Sequence, residues 1–128
     1  MDGVEKLNLN EIEDMAAKMG FGEVQEARFA GKPLGCERIG LALEHVKPGK
    51  RGASAHVHQE DEEVYVVVAG SGVAKVGEER IELREMDALR VAPSVARGFE
   101  AGPGGLKLIA FGTHTPEDAE LVQDFWDD

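Results

Sequence analysis

Apolar and polar residues alternate with a period of two through most of the middle of the chain. That period puts successive side chains on opposite faces of an extended strand. Residues 34–46 show it best: Ile39, Leu41 and Leu43 fall on one face, Gly40, Ala42 and Glu44 on the other. His45 falls with the leucines and reads as a core or rim histidine held by a hydrogen bond. A β-branched run starts at Glu63, places Glu63, Tyr65 and Val67 on a common face, and ends at Gly70. Further strands are expected over residues 21–30, 73–76, 80–83, 87–91, 95–101 and 106–112, with a short edge strand at 4–9. Gly and Pro punctuate these runs at 31–33, 47–52, 70–72, 77–79, 92–94 and 102–105, and each cluster predicts a turn or loop. About nine short, mostly antiparallel strands predict an all-β sandwich or barrel.

Helical spacing occurs near both ends. Asn10 stands as an N-cap with Glu13 at the capping-box position, Ile12, Met15, Ala16 and Met19 recur on one face, and Gly20 stops the run. Near the other end Thr115 supplies a hydroxyl cap, Pro116 the first helical position, and Glu117 and Asp118 the acids that the dipole favours. Leu121, Val122, Phe125 and Trp126 then form an apolar stripe, expected to pack on the barrel rather than on a second subunit.

Composition narrows the choices. A chain of 128 residues reads as a single domain spanning 1–128, and 42% hydrophobic with 30% charged residues suits a folded protein. The formal net charge of −11 repels phosphate backbones, so nucleic acid is not expected as a partner. Cys36 is the one cysteine and reads as a small apolar packing residue. No apolar run approaches the ~20 residues of a membrane-spanning helix, and residues 1–5 lack the features of a signal peptide, so a cytoplasmic protein is expected and membrane partners are not.

Candidate chemistry lies in the middle. His56 and His58 are one residue apart, so in a strand both point to the same face. If the strand beginning at Glu63 is its neighbour, the two imidazoles and this carboxylate converge. Two neutral imidazoles and a carboxylate form a ligand set for a divalent transition metal (Fe, Mn, Ni, Zn or Cu) with coordination positions left open.

The segment resembles the first motif of the cupin superfamily. His56-x-His58 is followed by Glu62 or Glu63, and the six residues separating the acid from Gly70 select Glu63. Lys50 stands where the motif opens with Gly. The second motif is matched over residues 86–101 by Asp87 and Pro93, whereas Met86, Val95, Arg97 and Ala101 replace its Gly, Gly, His and Asn. The resemblance covers about residues 34–112. It implies a small single-domain cupin: a jelly-roll β-barrel with short N-terminal and C-terminal helices, with metal ligands His56, His58 and Glu63, and a homodimeric assembly. Relatives of this kind include dioxygenases and sugar isomerases or epimerases.

Arg97 departs from the family pattern most consequentially. A guanidinium stays protonated and cannot ligate a metal. Three readings follow: Arg97 pairs with Glu63 or Glu100 beside a three-ligand metal, it holds an anionic ligand near the metal, or the metal is gone. Tyr65 and Phe99 are expected to line the cavity with Arg97, the alternative being core packing. Tyr65 and His45 are candidate general bases, and His114 reads as a solvated loop residue rather than a further ligand. Two function classes remain open: a metal-dependent oxygenase or isomerase acting on a small, in one reading anionic, molecule, and a non-catalytic small-molecule binding or sensing module.

Overall fold

In the computed structural model, which describes residues 2–128, eight strands curl into one sheet. They are β1 (Gln25–Phe29), β2 (Ile39–Val46), β3 (His56–His58), β4 (Glu63–Val76), β5 (Glu79–Leu83), β6 (Ala88–Val91), β7 (Arg97–Thr113) and β8 (Ala119–Leu121). Every pairing is antiparallel. β7 is the hub: it pairs with β2, β3 and β4, while β1 lies outside β2 and β8 outside β3. β4 carries β5 and β6. The core fills the curl with Tyr65, Val67, Ala74, Leu83, Val91, Phe99, Leu106 and Leu108, all buried. The fold is all-β, as the alternation predicts.

On β2 the inward face is not the one carrying Ile39. Ala42 and Val46 belong to the core, and Glu44 follows the same alternation inward. Leu43 and His45 face Glu26 and Arg28 of β1 instead, and Ile39 is exposed. Small residues are needed inside because the curl leaves room there for a cavity.

The two glycine clusters expected to make turns at 70–72 and 102–105 do not end their strands. β4 and β7 run straight through them, so two pairs of expected strands merge. Gly70 and Gly105 both have positive φ, and a Cβ on Gly70 would strike the Gly105 carbonyl. The glycines thus let two backbones meet at a bulge, with register shifts between Val67 and Ala69 and between Gly70 and Gly72. The hairpin at Gly77 is as predicted, with Val76 opposite Glu79.

The N-terminal region differs in detail from expectation. No strand forms at 4–9; a 3₁₀ turn, Leu9–Glu11, is capped by the Asn8 side chain. The helix α1 is shorter than predicted, Met15–Lys18, and its cap is Asp14 rather than Asn10. Asp14 Oδ1 accepts from Ala16 N at 3.0 Å and from Ala27 N at 2.9 Å, which ties the helix to β1. A single helical turn, α2 (Gly31–Leu34), replaces the simple turn expected there.

The C-terminal helix is a correction. Residues 119–121 form β8 and pair with His56, Val57 and His58 of β3. Local capping signals lose to the ladder that β3 would otherwise lack along that edge, and Asp118 spends its carboxylate on another loop. Of the residues in the expected apolar stripe, Phe125 and Trp126 meet side chains of the barrel, whereas Leu121 is exposed. The Lys75 ammonium lies 4.4 Å from the Phe125 ring centre and donates to the Phe125 carbonyl. The Arg51 and Arg80 guanidiniums lie 4.5 and 5.5 Å from the Trp126 ring. Among the described residues no helix is long and apolar enough to cross a membrane.

Gly112 sits opposite Glu63 in the β4–β7 ladder, and a Cβ there would collide with the Glu62 carbonyl. Gly112→Ala is expected to cost about 1–3 kcal/mol through overpacking, read as a lower denaturant midpoint. Gly40→Ala, whose Cβ would meet His114 at an ordinary 3.9 Å, is expected to leave the midpoint almost unchanged.

Candidate metal centre

β3 presents both histidines on its inner side, and β4 begins beside it at Glu63. His56 Nε2 lies 3.4 Å and His58 Nε2 3.5 Å from Glu63 Oε1. The rings stand nearly perpendicular, at 86°, with centroids 5.0 Å apart. All three side chains are largely buried, retaining 18%, 14% and 20% exposure.

The other ring nitrogen of each histidine is already committed. His56 Nδ1 is 2.7 Å from the Ser54 carbonyl, and His58 Nδ1 is 3.2 Å from the Asp118 carboxylate. Carbonyl and carboxylate oxygens only accept, so Nδ1 carries the proton in both rings. In a neutral ring Nε2 is then a bare lone pair, and both lone pairs face a carboxylate oxygen. Three acceptors converging on one point require a proton or a metal cation between them.

The donor set fits a metal. Imidazole nitrogens and carboxylate oxygens bind zinc at about 2.0–2.2 Å, so adjacent donors in a tetrahedral or octahedral shell stand roughly 3.0–3.5 Å apart. The separations of 3.4 and 3.5 Å lie within that interval. His56, His58 and Glu63 could hold the ion and leave other coordination positions open.

The loop between β3 and β4 is fixed by two buried aspartates. Asp118 accepts from Glu60 N at 2.9 Å and Asp61 N at 3.0 Å besides His58. Asp61 accepts from the Thr113 hydroxyl at 3.0 Å and from Thr115 N and hydroxyl at 2.9 Å. With its carboxylates so occupied, the cluster of His58, Asp61 and Asp118 ties the His58 ring to the loop and to residues 113–118. The Asp118 carboxyl is desolvated, which raises its pKa, but the two N–H donors and His58 bring it below its ordinary value.

Electrostatics within the site follow from the same contacts. Burial lowers the His56 pKa, yet the Glu63 and Ser54 hydrogen bonds and the nearby carboxylates leave it raised. Burial raises the Glu63 pKa, but His56 and Tyr65 bring it below its ordinary value. The Tyr65 hydroxyl donates to Glu63 Oε1. Burial, then the charges of Glu63 and Glu44, push that phenol well above its ordinary pKa.

Arg97 is fully buried. Its Nη1 lies 3.8 Å from Glu63 Oε1 and its Nη2 donates to the Ala92 carbonyl at 3.4 Å, whereas Nε and Nη1 have no hydrogen-bond partner among the described residues. Arg97 thus lies within ion-pair distance of Glu63. A cavity of about 360 Å³ opens over His56, His58, Glu63 and Tyr65. Arg97 and Phe99 are not among the residues lining it; Phe99 packs behind Tyr65 with ring centres 4.7 Å apart. His114 stands exposed at the cavity mouth, and His45 lies on the opposite side of β2, 3.4 Å from Glu26.

Glu44 also lines this cavity, and the sequence reading passed over it. Burial raises its carboxyl pKa more than the facing His56 lowers it, and the charge of Glu63 raises it further. The available signal was a lone acid on a strand face otherwise made of Gly40 and Ala42. Asp118 was missed because it read as a helix-opening residue.

The family described as the Cupin domain matches residues 42–111. No curated protein matches the chain. Among solved structures, a cupin protein from Bacteroides fragilis superposes with a TM-score of 0.70 at 20% identity, over 91% of this chain and 89% of that one. A sugar phosphate isomerase of the cupin superfamily from Silicibacter pomeroyi gives 0.74 at 20% identity, over 93% and 82%. The polyketide cyclase RemF from Streptomyces resistomycificus gives 0.74 at 17% identity, over 92% and 84%. At such identities these structures establish the shared fold alone. A family match over more than half of the residues, joined to that fold, means that the chain belongs to the cupin domain family.

Proposed function

We propose that this protein holds one divalent transition metal through His56, His58 and Glu63 and uses it on a small oxygen-bearing molecule in the cavity, in an isomerase-like or oxygenase-like reaction. The observation that carries this reading is the pair of imidazoles that have already donated Nδ1–H and aim Nε2 at one carboxylate oxygen. When bound, the ion would supply Lewis acidity or activation of dioxygen.

The chain's own groups have separable tasks. Asp118 and the Ser54 carbonyl hold the imidazoles in one tautomer. Tyr65 keeps its proton and orients Glu63. Glu44, whose carboxyl holds its proton to higher pH than usual, is placed to exchange that proton with a bound molecule. Arg97 acts from behind Glu63 as a fixed positive charge, so the loaded site favours an anionic head group on its ligand. The cupin neighbours named for sugar phosphate isomerisation and polyketide cyclisation support a small-molecule substrate.

A second reading has a specific observation behind it. Arg97 stands where cupins similar to this one carry a further histidine ligand, and a non-catalytic binding module could tolerate that loss. Metal content separates the two. Protein purified without chelator is expected to carry about one metal ion per chain by elemental analysis. His58→Ala is expected to lose it while keeping the far-ultraviolet dichroism of the parent; a metal-free parent that still binds a carboxylate ligand supports the binding module.

Asp118→Asn is expected to weaken metal binding about 10–100-fold in a chelator competition, with much less effect on global stability.

The raised His56 pKa fixes the sign of the pH dependence. In the metal-free protein its stabilising contribution is complete below the ordinary imidazole value of 6.5 and fades as pH rises through the raised value. The Glu63 contribution is complete above the ordinary 4.5 and is lost as pH falls through the lowered value. The metal must displace the His56 proton, so apparent metal affinity should fall about tenfold per pH unit below that raised pKa. Equilibrium titration with a metal-sensitive dye from pH 5 to 8, a range of about three units, checks this.

A further inference from the structure

We infer that the cavity takes a small, predominantly apolar molecule carrying a single oxygen head group, and discriminates against phosphate esters. The inference rests on the proposed function for the polar end of the site and draws on the opposite end for its content.

His56, His58, Glu63 and Tyr65 form the polar cluster of the cavity, with Glu44 and Glu120 the other acids of its lining. The remaining wall is mostly hydrocarbon. Ala16, Met19 and Phe21 come from the N-terminal segment, Phe29 from β1, Ala42 from β2 and Leu121 from β8. Three of these, Met19, Phe29 and Leu121, are more than half exposed, at 59%, 52% and 59%. Large apolar side chains gathered at one opening and left in contact with water are unfavourable until something covers them, and a ligand with a hydrocarbon body would do so.

Charge argues in the same direction. Among the described residues no lysine or arginine lines the cavity, and its acids besides Glu63 are Glu44 and Glu120. A phosphate ester is recognised by guanidinium forks, ammonium groups or clustered backbone N–H donors. Arg97, the cation nearest the ligand set, is sealed beneath Glu63 and does not reach the cavity. A doubly charged phosphate would therefore meet carboxyl groups along the wall without a cationic partner there. A single carboxylate, phenol or enol oxygen needs only the polar end, while its hydrocarbon part occupies the wall.

Size agrees. An apolar cavity of roughly 150 Å³ accommodates one benzene ring. At about 360 Å³ this one has room for a fused bicyclic molecule.

The test is calorimetric titration of the protein as purified with two probes, 2-naphthoate and ribose 5-phosphate, alongside elemental analysis of the same samples. We expect 2-naphthoate to bind at least tenfold more tightly than ribose 5-phosphate. Phe29→Gln should weaken 2-naphthoate about tenfold with the metal content unchanged. Leu121→Ser, at a position exposed enough to leave folding intact, should weaken it severalfold. Tighter binding of ribose 5-phosphate, no detectable binding of 2-naphthoate at millimolar concentration, or 2-naphthoate affinity indifferent to both substitutions would each overturn the inference. A metal-bearing protein that prefers the phosphate sinks this inference and leaves the proposed metal site standing. Protein without metal that still binds 2-naphthoate in a Phe29-dependent way does the reverse.

Discussion

β4 and β7 pair along almost their whole lengths, and the other strands hang from that ribbon. β5 and β6 attach to β4, and β2 and β3 to β7. A ribbon of this length can curl round a core only if its backbones meet closely at the bends. Gly70, Gly72 and Gly112 supply those meetings, at positions where a side chain would strike a facing backbone. Close packing of Tyr65, Leu106 and Leu108 against each other depends on the same curl. Glu63, the first residue of β4, inherits its position from the Gly112 contact, so the geometry of the site is set by the geometry of the ribbon.

A second layer of constraint concerns which nitrogen of each histidine is free. Two imidazoles side by side in a cavity could point either nitrogen inward. A carbonyl behind one and a carboxylate behind the other remove the choice, and the price is a cluster that cannot satisfy itself without a proton or cation. The raised His56 pKa and the lowered Glu63 pKa are two expressions of that one arrangement. Arg97 adds to it from beneath, since its charge offsets Glu63 without entering the space where a ligand would sit.

The parts of this molecule that were legible in the sequence are those where local pattern and global fold agree. Alternation gave the strands, and period-two geometry brought His56 and His58 to one face, while Glu63 was selected by the resemblance to the first cupin motif. Glycine misled at 70–72 and 102–105, since a residue that permits a turn also permits a bulge, and only the partner strand decides between them. Pro116 and the acids after it misled in the same manner: they are compatible with a helix, and the open edge of β3 outweighed them. Glu44 could not be assigned from alternation, because which face of β2 turns inward depends on the curl. Asp118 could not be assigned either, because its partner His58 is distant in sequence.

That distance has a consequence for assembly. Asp118 lies 60 positions beyond His58, on the segment that closes β3 from outside. Until this late segment docks, the second imidazole has no brace and is free to turn. During synthesis, a chain exposing only its first half would present the ligands without their final geometry. The final placing of the His58 ring is therefore tied to completion of the fold, because its partner arrives with the last strand.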